Sequence, residues 1–264
     1  DLFTREALDF VRRKKDAPFF LYLAYTIPHP NNEDKADGME VPTDAPYSNR
    51  DWPQPLKNRA AMIARMDADI GRLMALLAEL GIDKDTVVFF SSDNGPNKEG
   101  GSVPEFFKSA GPLRGIKRDL YEGGIRVPLI ARWPGRIAPG TVSPQPCAFW
   151  DFFPTAAELA HAPEPAGIDG ISIAPTLLGT PEKQRQHDCF YWEFHEGGFK
   201  QAVRMGKYKA VRPKTNAPIE IYDLETDLGE RHDLAREKPD LVVKAEGLFQ
   251  SERTFSEFWG PKKP

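Results

Sequence analysis

Between Val87 and Ser92 the chain runs VVFFSS, without a charge, and then breaks directly into Asp93-Asn94-Gly95. An apolar, β-branched and aromatic run between turn signals predicts a buried strand of a parallel sheet. Open α/β sheets carry their chemistry just beyond the carboxyl ends of their strands, which is where Asp93 and Asn94 fall. Both side chains offer hard oxygen atoms of the kind that calcium or magnesium takes. The same tripeptide is also ordinary turn chemistry, so taken alone it leaves both readings open.

The segments around this run sort by periodicity. Thr4 to Lys15 places Ala7, Leu8 and Val11 on one face and ends in four cations, which predicts a helix with a basic C-terminal turn. Phe19 to Tyr25 predicts a buried strand ending in Thr26-Ile27-Pro28-His29-Pro30. Residues 31–57 are polar, proline-rich and without period, a long loop of the kind that is usually functional or disordered. From Asn58 to Leu80, apolar residues recur at helical spacing, and Gly81 stands where a C′ glycine belongs. With Asp85 to Ser92 as the next strand, the order is one βαβ unit, and it points His29 and Asp93 to the same sheet edge. Val127 to Arg132 predicts a further strand, and Asp151 reads as the N-cap of a short helix. After residues 162–188, rich in loop signals, short runs with a turn at Met205-Gly206 predict hairpins, and a last helix is expected over about Pro239 to Phe255. The expected architecture is α/β: residues 1–184 form part of a mostly parallel sheet flanked by helices, and 185–264 form a small antiparallel sheet with a helix.

Four segments together resemble the sulfatase family: FFLYLAYTIPHP, the SSDNGP turn, RGIKRDLYEGGIRVPLIARWPG and IYDLETDLGERHDLA. They occur in the family's order and cover nearly the whole chain. The resemblance implies an alkaline-phosphatase-like fold and hydrolysis of aryl or carbohydrate sulfate esters. It implies a calcium ion held in part by Asp93 and Asn94, and sulfate contacts from Lys117 and His29. His29 would also protonate the leaving oxygen. His195, with Trp192 and Phe194, would border the substrate, although alternate residues of that strand also fit simple core packing. Glu122 and Arg126 are expected to brace the loop through local ion pairs, and Asn97 has no firm role. The family's nucleophile comes from a C/S-x-P-x-R motif oxidised to formylglycine. Neither Cys147 nor Cys189 sits in that motif, and the paired aspartates that complete the family's metal site are absent. The chain therefore looks like a sulfatase lacking the N-terminal half of its catalytic domain, expected to be inactive alone, to bind calcium weakly and to self-associate through the uncovered core.

Two other readings stand beside it. A phosphoester or phosphonate hydrolase of the same superfamily would use two metals held by histidine and aspartate, and no D-x-x-x-H cluster lies near Asp93. A degenerate, non-catalytic segment would account for the missing nucleophile. The net charge of −4 argues against a nucleic-acid partner. No apolar run is long enough to span a bilayer, and the two cysteines are expected as free thiols. From the resemblance, a periplasmic, secreted or lysosomal setting is expected.

Overall fold

The computed structural model describes residues 1–34 and 38–258. Residues 35–37 of the long loop expected over 31–57 lie outside the described residues. The chain forms two compact units that interleave in sequence. Of the described residues, one takes 1–34, 38–89, 97–107 and 131–139; the other takes 90–96, 108–130 and 140–258.

The first unit is organised by two helices, α1 (Leu2–Lys14) and α2 (Gln54–Glu79). Leu8 and Val11 of α1 pack on Leu76 and Leu77 of α2, with Phe10, Phe19, Leu21, Leu73 and Val88 around them. Replacing a buried leucine such as Leu76 by alanine would cost about 2–5 kcal/mol. The same two helices share a buried polar clamp, in which Thr4 Oγ1 donates to Asp69 Oδ2 at 2.7 Å. Helix α2 ends as the sequence predicts. Gly81 adopts φ +72°, its N–H donates to Ala78 O, and the Ile82 N–H reaches back to Leu77 O. These are the two bonds of a Schellman stop, and Ile82 lies against the same apolar cluster as Leu77.

Residues 19–25 depart from expectation. They do not pair into either sheet of the described residues, and only alternate side chains are sheltered. Phe19 and Leu21 pack on the helices, whereas Phe20 is 67 % and Tyr22 81 % exposed. The segment has the period-two pattern of a strand but lies in neither sheet. Of the predicted βαβ unit, the helix and the second strand are assigned as such. That strand is β1 (Val88–Ser91), shorter than expected because a 3₁₀ turn occupies Asp83–Asp85. It forms a two-stranded sheet with β2 (Leu129–Arg132). A one-turn helix, α3 (Pro104–Phe107), also belongs to the first unit.

The second unit is built on an antiparallel sheet in the order β3 (Phe190–Phe194), β4 (Lys200–Met205), β5 (Tyr208–Arg212) and β6 (Glu220–Asp223). The predicted turn at Met205-Gly206 is present: Met205 pairs with Tyr208 across Gly206 and Lys207, and Gly206 takes φ +61°. Period-two alternation gives the sheet two dissimilar faces. Val203, Met205, Ala210 and Ile221 meet Ala245 and Phe249 of the last helix, α7 (Pro239–Ser251). Ala202, Val211 and Tyr222 on the opposite face meet Leu120, Tyr121 and Ile125. The loop that carries Lys117 is therefore laid across the small sheet, with one helical turn, α4 (Glu122–Ile125), inside it.

Two further short helices, α5 (Phe152–Leu159) and α6 (Ala174–Leu177), complete this unit. Asp151 precedes α5 but does not cap it. Its carboxylate accepts from the N–H groups of Ala148 and Ile171 and sits 2.8 Å from His187 Nε2. With Phe149–Asp151 already a 3₁₀ turn, the aspartate closes that earlier turn instead of the helix.

Candidate active site

The chain leaves β1 at Ser91 and bends at once through Asp93, Asn94 and Gly95. Asp93 is exposed and Asn94 half-buried. The bend is held locally: Ser92 Oγ donates to Asn94 O, and Asn94 Nδ2 donates to Gly95 O at 2.9 Å. It is also docked onto the Lys117 loop. The Gly95 N–H donates to Gly124 O at 3.0 Å, and the Lys117 N–H donates to Pro96 O at 2.8 Å.

These backbone bonds require an approach that only glycine allows. A Cβ on Gly95 would lie 1.8 Å from Gly123 O, and one on Gly124 would lie 2.1 Å from Asp119 O. The loop itself is closed by Gly123 N–H to Arg114 O at 2.6 Å and by the Ile116 N–H to Asp119 Oδ2. Lys117 is half-buried within it.

The braces expected of Glu122 and Arg126 are present. Arg126 donates to Glu122 Oε2 at 3.1 Å, and Lys209 donates to Glu122 Oε1 at 2.9 Å. Burial works to raise the Glu122 carboxyl, but Lys209 and Arg126 outweigh it and hold the group below the ordinary carboxylate range.

His195 lies on the β3–β4 hairpin in the same unit. Its Nε2 is 3.1 Å from Glu193 Oε1, and its ring stacks on Phe199. Glu193 is held in turn by Tyr191 and Arg253. The hairpin and the lysine loop meet through their neighbours: Arg118 pairs with Glu196 at 2.8 Å, and Lys200 donates to Arg118 O. Trp192 and Phe194, for which both a ring subsite and simple core packing are expected, pack partly buried against the apolar cluster of Leu120 and Tyr222.

His29 belongs to the first unit. Its Nδ1 is 2.8 Å from Pro30 O and its Nε2 is 3.1 Å from Glu99 Oε2. Each ring nitrogen therefore faces an oxygen, which orients the imidazole. Asn97 accepts the Glu99 N–H through its side chain and so shapes the turn that presents Glu99. The sequence offered no cue for Glu99, nor for Lys209 and Glu230, because charged residues in a turn or on a strand ordinarily face solvent.

The donor set for a metal is incomplete. Calcium takes about 6–8 oxygen ligands, and Asp93 and Asn94 supply two side chains. Among the described residues no group of three or more His, Cys, Asp or Glu side chains could hold a metal ion. These residues do not make a calcium site by themselves.

The sequence model described as Sulfatase matches residues 1–162, more than half of the chain. The chain belongs to the sulfatase family. A second model, N-sulphoglucosamine sulphohydrolase C-terminal, matches residues 116–248 of the chain, which run from the lysine loop through the small sheet into α7. Mouse N-acetylgalactosamine-6-sulfatase is 38% identical over 215 residues, 79% of this chain and 37% of the relative. Human arylsulfatase A is 34% identical over 251 residues, 84% of this chain and 45% of the relative. The chain thus spans less than half the length of these curated relatives. Among solved structures, Ps i-CgsB superimposes with a TM-score of 0.81 at 26% identity, covering 96% of this chain and 54% of the other. The phosphonate monoester hydrolase of Agrobacterium radiobacter superimposes with a TM-score of 0.56 at 23% identity over 75% of this chain and 40% of the other, a likeness of fold alone.

Proposed function

We propose that this chain is the C-terminal part of a sulfuric ester hydrolase acting on aryl or carbohydrate sulfates. The observation that carries the reading is the pair of backbone bonds, Gly95 to Gly124 and Lys117 to Pro96, that seats an Asp-Asn turn against a lysine-bearing loop. An anionic ester needs cations placed before the bond breaks, and fixed charge around a developing oxyanion is usually the largest single catalytic term. Lys117 would meet sulfate oxygens. Asp93 and Asn94 would supply part of the oxygen shell of a divalent cation, calcium by the family pattern, whose remaining ligands lie outside these residues.

His29 would deliver a proton to the departing oxygen, its ring oriented by Pro30 O. His195, steadied by Glu193 and Phe199, would border the organic part of the ester. None of the 264 residues sits in a formylglycine-forming motif, so the nucleophile would come from sequence beyond them, and this chain alone would not turn over substrate. No helix of the described residues is long and apolar enough to cross a membrane. A periplasmic, secreted or lysosomal setting for the longer protein follows the family pattern and is part of the proposal.

The test compares an aryl sulfate, an aryl phosphate and an aryl phosphonate with the longer protein and, separately, with the 264-residue chain. The reading expects turnover of the sulfate by the longer protein and none by the chain. Preference for the phosphonate or phosphate would reassign it to the wider superfamily, and robust turnover by the chain alone would refute the missing nucleophile.

A further inference from the structure

The sheet face beneath the Lys117 loop buries a lysine. Lys209 has 0 % of its surface exposed, as does Glu230, and Lys209 Nζ lies 2.9 Å from Glu122 Oε1 and 2.9 Å from Glu230 Oε1. Lys209 donates to Glu122 and forms an ion pair with Glu230, whose carboxyl is pushed by burial above the ordinary carboxylate range. The other Glu230 oxygen accepts the Glu122 backbone N–H at 2.6 Å. Both ends of Glu122, side chain and amide, are therefore gripped from the sheet side.

A triad at this depth is a poor source of net stability, because taking its charges out of water offsets their attraction. What it fixes is position. Glu122 opens α4, whose Gly124 carbonyl receives the Gly95 N–H and whose Gly123 N–H closes the loop on Arg114. The path from Lys209 to the Asp93-Asn94 turn runs through Glu122 and two residues of backbone. Nothing places Lys209 in contact with a substrate: it is fully enclosed on β5, opposite Tyr222 of β6.

We propose that Lys209, acting through Glu122 and Glu230, is a positioning residue that sets the backbone carrying Lys117, Asp93 and Asn94. Its catalytic meaning rests on the sulfatase reading above; its mechanical content does not. Positioning groups distant from chemistry matter because a 1 Å misplacement can cost about 10²-fold in rate.

The mechanical part is read by hydrogen exchange on the 264-residue chain. Lys209→Met should speed exchange of the Lys117 and Gly95 amides by about tenfold or more, while the amides shared by β4 and β5 keep their protection. Lys209→Met leaves two buried carboxylates facing each other and could fail to fold, so a second variant, Lys209→Gln with Glu230→Gln, removes one charge of each sign and leaves the net charge of the triad unchanged. The same selective loosening is expected there. Unchanged protection of Lys117 and Gly95 in either folded variant would overturn the proposal. Failure of both variants to fold would assign the triad to the fold itself and would overturn it equally. In the longer protein, Lys209→Met should lower kcat for an aryl sulfate by roughly 10²-fold with KM little changed. Loosened amides together with unaltered kcat would refute the catalytic meaning, and loosened amides in a longer protein that never cleaves sulfates would refute the sulfatase reading while leaving the coupling intact.

Discussion

The Lys117 amide donates to the Pro96 carbonyl at 2.8 Å, so the loop bearing the lysine and the turn bearing Asp93 and Asn94 are one hydrogen-bonded piece. The neighbouring bond, Gly95 N–H to Gly124 O, closes the same seam from the other side. Two short polar motifs that are some twenty residues apart in sequence become a single rigid edge, and the rest of the second unit is arranged to hold it.

Gly95→Ala should break that seam. The added methyl would start 1.8 Å from Gly123 O, a backbone atom that cannot rotate away. A destabilisation of about 1–3 kcal/mol or more is expected from forced overpacking. Thermal melts should show it, and loss of amide protection at Lys117 should accompany it. A melting curve matching the unaltered chain would mean that the two segments are not seated as described.

Asp69 should give the first unit an acid-sensitive contribution. Burial works to raise its carboxyl, but the Thr4 hydroxyl and Arg72 outweigh it and hold the group below its ordinary value of 3.8. A lowered value in the folded state means that the unfolded chain takes up the proton first as pH falls. The stabilisation is therefore complete above the unfolded value and is lost as pH drops through the folded one. Asp69→Asn should melt lower than the unaltered chain at pH 7, and the gap should narrow near pH 3. A gap independent of pH would assign Asp69 a purely steric role.

The segment 19–25 should drive self-association. Phe20 and Tyr22 stand 67 % and 81 % exposed on a stretch that lies in neither sheet, and neighbouring exposed aromatic side chains invite another chain. Sedimentation of the 264-residue protein should show concentration-dependent oligomers, and Phe20→Lys with Tyr22→Lys should reduce them. A monodisperse monomer at every concentration would contradict this.

Much of this arrangement was legible in the residues because it is local. Spacing marked α1 and α2, Gly81 marked the Schellman stop, and Met205-Gly206 marked the hairpin. Residues 19–25 carry the alternation of a strand yet lie in neither sheet, because alternation is local while sheet register is set by the whole fold. Asp151 was misread for a related reason: its carboxylate is claimed by Ala148, Ile171 and His187, and the last two are far along the chain. For the site, Asp93, Asn94 and Lys117 stood out by motif. Lys209 and Glu230 did not, since a lysine in YKAVR looks like a solvent-facing strand residue until the loop from 116 to 125 covers that face.

The most direct measurement of the central claim is kcat for an aryl sulfate in the longer protein with Lys117→Ala. The substitution keeps the amide that bonds Pro96, so the melting temperature should move by only a few degrees. The cation meant for the sulfate oxygens is gone, and removal of one such preorganised contact should lower kcat on the order of 10²–10³-fold. Lys117→Arg should recover part of the loss, because a guanidinium fork presents its charge differently from a compact ammonium. A near-normal kcat with Lys117→Ala would contradict the account and return Lys117 to the status of an ordinary loop residue.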